Sequence, residues 1–292
     1  MSISVMPLCK VGAVSIGGQT ADGQQARLAI IAGPCMLESI ELGMAIGTRV
    51  KALCDSFGLA YIFKASFDKA NRSSISSPRG PGLERGVEWI ARIGESLGVP
   101  TTTDIHDPSQ ADAVAAKVDL LQIPAFLCRQ TDLLLAAGKA AAKHGRGVNV
   151  KKGQFMSPGE MKGCLKKLTE AGCTNSMLTE RGTFFGYGRL VNDFLGLGDM
   201  MDLGVPVCFD CTHSTQQPGL GGVAGEVTGG RPDRAPLLSR AAAAAGVDAL
   251  FIECHPEPKT AMSDAATMLR LDEMEGVLKT AAGLRAVIAS GR

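Results

Sequence analysis

Lys64, Lys151 and Arg181 each stand at the C-terminal end of a short apolar run, and Cys35, His213 and Glu253 stand at or just past the ends of three more. Cations gathered at one mouth repel unless an anion neutralises them, so the first set points to a substrate with several negative charges. Arginine grips phosphate or carboxylate through paired bonds, and lysine acts as a point charge. Lys69, Arg72 and Lys152 extend this set along the sequence, and Asn71, Arg72 and Ser73 form a string of donors suited to a second phosphate. Cys35, His213, Glu253 and, eleven residues on, Asp264 offer a thiolate, an imidazole and two carboxylates. That donor mixture suits zinc, iron(II) or manganese. On residue types alone, Cys35 as a small core residue and His213 as a buried structural histidine remain open. Asp104 and His106 lie two apart and share a strand face, suiting a sugar hydroxyl or a proton carrier. Gln122 and Asn149 are further polar groups at strand ends. Cys208 and Cys211 form C-x-x-C, but residues three apart on a strand face opposite sides and cannot share an ion.

These residues need a scaffold that brings distant segments to one place. Eight apolar runs alternate with helical stretches: LAIIAGPC, LAYIFKAS, VPTTTDIH, DLLQIPA, GVNVKKG, NSMLTERG, VPVCFDCTHS and DALFIECHP. Runs this rich in Val, Ile, Leu and Phe suit strands buried on both faces of a parallel sheet. Eight strand–helix units close a (β/α)8 barrel, an α/β fold whose reactive groups sit at the C-terminal strand ends. Residues 1–27 form an N-terminal extension read as a β-hairpin plugging the bottom, and 28–292 form the catalytic barrel. Ser39 caps a first helix that stops at Gly58, Gln130–His144 form another, and Ser157-Pro158 start a fifth. A weaker helical stretch covers 190–203, and a final helix runs from about Asp264 to Ala289. Trp89 lies among apolar helix neighbours as core. Two long loops remain, at 68–82 and 216–234. Long loops in a compact domain are usually functional, and the glycines of the second suggest a mobile lid.

Composition excludes several classes. The chain of 292 residues carries 30 basic and 29 acidic side chains, so no net field recruits nucleic acid or an anionic membrane. No apolar stretch reaches the roughly 18 residues of a membrane span. Nine scattered cysteines, an odd number, favour reduced thiols in a cytoplasmic protein over a disulfide framework.

Between about residues 28 and 280 the chain resembles the 3-deoxy-D-manno-octulosonate 8-phosphate synthases, which condense phosphoenolpyruvate with arabinose 5-phosphate in lipopolysaccharide biosynthesis. The resemblance rests on IAGPCMLES, FKASFDKANRSS, RGPGLE, TDIHDP, LQIPAFLCRQTDLL, NVKKGQF, ERGTFFGYGRLVNDF, FDCTHSTQQPG and FIECHPEPKTAMSDA. The family has a metal-dependent and a metal-independent branch, the latter with Asn where this chain has Cys35. The resemblance therefore implies a divalent ion on Cys35, His213, Glu253 and Asp264. It implies Lys64, Ser66, Lys69 and Gln122 around the phosphoenolpyruvate carboxylate, and Lys151, Arg181 and the Ala125 backbone on its phosphate. Asn71, Arg72 and Ser73 would meet the sugar phosphate and Asp104 the sugar hydroxyls. Arg129 would reach that phosphate from a neighbouring subunit of a homotetramer. His213, Asp264, Lys69 and Asp104 are the catalytic candidates. Gly153 departs from the proline that follows the paired lysines in other members, a change bearing on loop stiffness. The rival within this chemistry is the sister synthase that uses erythrose 4-phosphate, whose loop resembles KPRTS where this chain has KANRSS. A Schiff-base aldolase using Lys64 or Lys151 and a non-enzymatic sugar-phosphate binder are the alternatives from other classes.

Overall fold

The computed structural model describes residues 8–19, 26–70, 77–221 and 227–290. All eight apolar runs are strands: β3 (Ala29–Gly33), β4 (Ala60–Lys64), β5 (Thr101–Asp104), β6 (Leu120–Ile123), β7 (Gly147–Lys151), β8 (Ser176–Glu180), β9 (Val207–Asp210) and β12 (Ala249–His255). They pair in parallel in chain order, and β12 pairs with both β9 and β3, which closes the ring. The (β/α)8 barrel expected from the alternation is therefore the fold.

The outer layer is α1 (Ile40–Phe57), α2 (Leu83–Leu97), α3 (Ala111–Ala115), α4 (Thr131–His144), α5 (Met161–Glu170), α6 (Phe194–Met201), α7 (Ala235–Ala245) and α8 (Met274–Ser290). The Ser39 hydroxyl accepts the Leu42 N–H at 3.1 Å, and Gly58 ends α1 at φ +67°, as the start and stop signals require. The main core lies between helices and strands, where Ile30, Phe63, Leu121, Val150 and Ile252 are fully buried. Among the described residues no helix is long and apolar enough to cross a membrane.

A second, smaller core fills the barrel. Strands β1 (Leu8–Val11) and β2 (Val14–Gly17) form the expected antiparallel hairpin. Its Cys9, Val11 and Ile16 are fully buried against Ile31, Ile62, Leu120, Met177 and Phe251. Burying each such aliphatic side chain contributes roughly 1.5–3 kcal/mol. The Asn175 side chain bonds Lys10 N and O at 2.8 and 2.7 Å, tying the hairpin beside the start of β8. The bottom is thus plugged, and the opposite mouth is left for ligands.

Three expectations change. The last helix starts at Met274, not near Asp264, because Asp264 sits at φ +45°, outside helical space, and β13 (Leu269–Arg270) pairs with β12. The stretch 190–203 is helical only over α6, where the Asp193 side chain caps Leu195. The glycine-rich 216–234 segment, expected as a long loop, carries two strands. Its β10 (Gln216–Gly221) and β11 (Val227–Gly230) form an antiparallel ribbon, and 222–226 lie outside the described residues. Cys208 packs inside the barrel and Cys211 in the outer core, so the C-x-x-C is split between two sides as alternation demands.

Candidate active site

A cavity of about 660 Å3 opens at the C-terminal ends of the strands. Lys64 ends β4, Asp104 ends β5, Lys151 ends β7, and Arg181 follows β8; Glu253 lies within β12. All five line that cavity. The end of β3 lies close against β4 at Gly33, where a Cβ would lie 1.9 Å from the Lys64 carbonyl. That close approach lets Lys64 Nζ donate to the carbonyls of Pro34 and Cys35 at 3.3 and 3.0 Å.

On one side of the cavity lie the candidate metal donors. Donor atoms of Cys35, Glu253 and Asp264 lie within 4.8 Å of one another. His213 Nε2 stands 3.5 Å from Glu253 Oε2 and 3.6 Å from Asp264 Oδ2. The four residues predicted as ligands are thus brought together. Burial pushes the Cys35 thiol well above its usual range, and the Asp264 and Glu253 carboxylates add to that. Burial would also raise Glu253 and Asp264, but Lys64 and His213 for the first, and His213 and Lys69 for the second, hold both carboxyls below the usual range. Glu253 Oε2 is buried with no hydrogen-bond partner. An orphaned carboxylate oxygen beside a thiol, a second carboxylate and an imidazole is what a divalent ion would satisfy, so the donors fit the group.

The His213 ring is aimed by a residue that the sequence reading missed. Asp210 is fully buried, and its Oδ2 accepts from His213 Nδ1 at 2.7 Å and from Lys151 Nζ at 2.6 Å. Its Oδ1 accepts the Thr212 and His213 N–H groups at 3.2 and 2.9 Å. Histidine ligands commonly pass their second nitrogen to such a carboxylate. The signal was present in FDCTH, where the strand ends at Asp210 and a turn brings a carboxylate three residues back onto the imidazole.

On the other side Asp104 is a hub. It accepts from Ser66 Oγ and Gln122 Nε2, and Lys69 Nζ donates to Ser66 Oγ at 3.0 Å. Asn149 Nδ2 donates to Gln122 Oε1 at 3.1 Å, and Thr179 Oγ1 to Asn149 Oδ1 at 2.8 Å. Burial would raise the Asp104 carboxyl, but Lys64, Lys69 and His106 outweigh it and hold it below the usual range. His106 lines the same cavity, with burial lowering its imidazole against the pull of Asp104. Asn149 is therefore an internal link in this chain of bonds.

The cations are not left bare, which corrects the expectation that only a ligand neutralises them. Lys64 pairs with Glu253, Lys151 with Asp210, and Lys152 Nζ lies 3.4 Å from Glu180. Arg181 Nη2 donates to Gln216 Oε1 of the ribbon. Lys152 turns away from the cavity. Lys64 and Lys151, the two Schiff-base candidates, thus each face a buried carboxylate, and Lys151 Nζ also lies 3.6 Å from the Phe251 ring centroid. Ala125 lines the cavity, whereas Arg129 is exposed and away from it. Asn71, Arg72 and Ser73 lie outside the described residues. Gln154, 2% exposed, lines the cavity with its amide oxygen unpartnered; nothing in the sequence set it apart.

A barrel whose mouth joins clustered lysines and arginine to a set of metal-type donors defines a class of enzymes acting on small phosphorylated anions. The chain belongs to the DAHP synthetase I family, whose profile matches residues 10–289. It is 51% identical over 270 residues to a 2-dehydro-3-deoxyphosphooctonate aldolase of Nitratidesulfovibrio vulgaris (strain DP4), covering 91% of this chain and 96% of that one. Proteins of the same name from Cyanothece sp. (strain PCC 7425 / ATCC 29141) and Fusobacterium nucleatum subsp. nucleatum are 49% and 48% identical, over 92% and 96% of this chain and 95% and 96% of theirs.

Proposed function

We infer that this protein condenses phosphoenolpyruvate with D-arabinose 5-phosphate and water to give 3-deoxy-D-manno-octulosonate 8-phosphate and inorganic phosphate. The observation that carries the reading is the single cavity shared by Lys64, Lys69, Lys151 and Arg181, in a chain whose relatives bear the name of an eight-carbon aldolase. Those names favour the five-carbon sugar over erythrose 4-phosphate.

Lys64, Lys69, Ser66 and Gln122 orient the carboxylate of phosphoenolpyruvate. Lys151, Arg181 and the Ala125 backbone hold its phosphate, so the enol carbon is presented in one direction. That carbon attacks the sugar aldehyde, water adds to the neighbouring carbon, and phosphate leaves with its bridging oxygen by carbon–oxygen cleavage. Lys69 Nζ supplies the proton that the new hydroxyl takes up, and the proton shed by the adding water restores it, while His213 stays committed to Asp210 and the donor set. Asp104 meets the sugar hydroxyls, and Asn71, Arg72 and Ser73 its phosphate. Cys35, His213, Glu253 and Asp264 would hold zinc, iron(II) or manganese, which supplies Lewis acidity toward the aldehyde oxygen. Arg129 reaches the sugar phosphate of an adjoining copy in a homotetramer. The exposed Phe185, Tyr187 and Leu195 support such an assembly. Nine reduced, buried cysteines support a cytoplasmic setting.

Initial rates of phosphate release with the two sugars test the assignment. Turnover with arabinose 5-phosphate and little with erythrose 4-phosphate is expected, and the reverse preference would overturn it. Chelation of the purified protein should remove activity and metal together.

A further inference from the structure

Two consecutive lysines follow β7, and only the first faces the cavity. Lys152 is 1% exposed, and its Nζ donates to the carbonyls of Gly153 and Met156 at 3.4 and 3.2 Å and to Thr183 Oγ1 at 3.1 Å. The same ammonium lies 3.4 Å from the carboxylate of Glu180, itself 3% exposed. Glu180 in turn uses Oε1 to accept the backbone N–H groups of Arg181, at 2.8 Å, and Gly182. The backbone can fold back over the Glu180 side chain because Gly182 takes φ +94°, and a Cβ there would lie 2.9 Å from Leu190 Cβ. One ammonium thus clamps the turn after Lys151 to the turn that carries Arg181. The two turns are also joined directly, Lys152 N to Thr179 O at 2.8 Å and Phe184 N to Gln154 O at 2.9 Å.

A buried ion pair adds little net stability over a hydrocarbon pair of similar size, but its directed bonds fix geometry. We propose that Lys152 and Glu180 are positioning residues, a buried brace that holds Lys151 and Arg181 at the separation and angle needed to grip one phosphate group. The brace touches no reactant and acts through those two side chains. It rests on the assignment of Lys151 and Arg181 to the phosphate of phosphoenolpyruvate.

Steady-state kinetics in both substrates, with thermal unfolding of the same metal-loaded preparations, test it. Lys152→Met and Glu180→Gln should each raise KM for phosphoenolpyruvate on the order of tenfold, below the ~10²-fold attached to a 1 Å misplacement. KM for arabinose 5-phosphate should stay within about twofold, since uniform binding of that partner is untouched. Lys152→Arg should restore most of the loss. Should Lys152→Met fail to fold with Glu180 left unpaired, K152M/E180Q removes both charges and is read for the same split. A phosphoenolpyruvate KM at the parent value in these folded variants overturns the brace, as does a fall in kcat that merely follows the folded fraction. Arg181→Ala separates the two levels of the argument. A raised phosphoenolpyruvate KM in that variant with none in the Lys152 and Glu180 variants sinks the brace alone, and no rise in Arg181→Ala sinks the phosphate assignment beneath it.

Discussion

Replacing Asp210 with Asn keeps the shape of the side chain and removes one buried charge. An ammonium and an imidazole share that carboxylate, Lys151 Nζ at 2.6 Å and His213 Nδ1 at 2.7 Å, and it is fully buried. The amide can present an oxygen to one of them, but its NH2 then faces the other donor. Losing an outer carboxylate typically weakens metal binding by roughly 10–100-fold, or about 1.4–2.7 kcal/mol. Folding should also suffer, because breaking a buried pair from one side costs about 3–5 kcal/mol. The effect on phosphoenolpyruvate has the opposite sense: Lys151 loses its internal competitor, so KM for that substrate should hold or fall. Zinc affinity of the apoprotein, measured by competition with a fluorescent chelator, reads the first effect without turnover. Zinc bound as tightly as by the parent protein would refute the account of His213, and a large rise in phosphoenolpyruvate KM would refute the account of Lys151.

Cys35→Ala should lower metal content and activity together, and elemental analysis showing full occupancy would remove the thiol from the donor set. Asp104 has its carboxyl held below the usual range, so its contribution to stability is fully present above its unfolded value of about 4 and is lost as pH falls through the lower folded value. Denaturation from pH 2 to 7 should therefore show a shallower acid loss in Asp104→Asn, and an unchanged slope would contradict the hub. Ile16→Ala empties part of the barrel plug and should cost about 2–5 kcal/mol with little change in KM for either substrate. A KM shift in that variant would mean the hairpin reaches the mouth.

Much of the architecture was legible because period and composition act locally. Eight apolar runs bounded by polar ends admit few arrangements, and Ser39, Gly58 and Ser157-Pro158 mark helix ends through their own backbone chemistry. The residues Lys64, Lys151, Arg181, His213 and Glu253 were findable because strand ends are where this fold exposes reactive groups. What escaped depends on the third dimension. Asp210 is one acidic residue among 29 until the turn after β9 folds it onto His213 and Lys151. Lys152 and Lys151 are chemically identical neighbours, and only the alternation of a strand end sends one to the cavity and the other to Glu180. The start of α8 was misplaced because the sequence does not announce that Asp264 takes a left-handed backbone.

The most direct test of a shared anion-gathering mouth is the crystal structure of the protein soaked with phosphoenolpyruvate. Its phosphate oxygens should lie at ~2.7–2.9 Å from Lys151 Nζ and the Arg181 guanidinium, with its carboxylate beside Lys64 and Lys69. Density for the ligand away from this cavity, or reversed with its carboxylate on Arg181, would contradict the account.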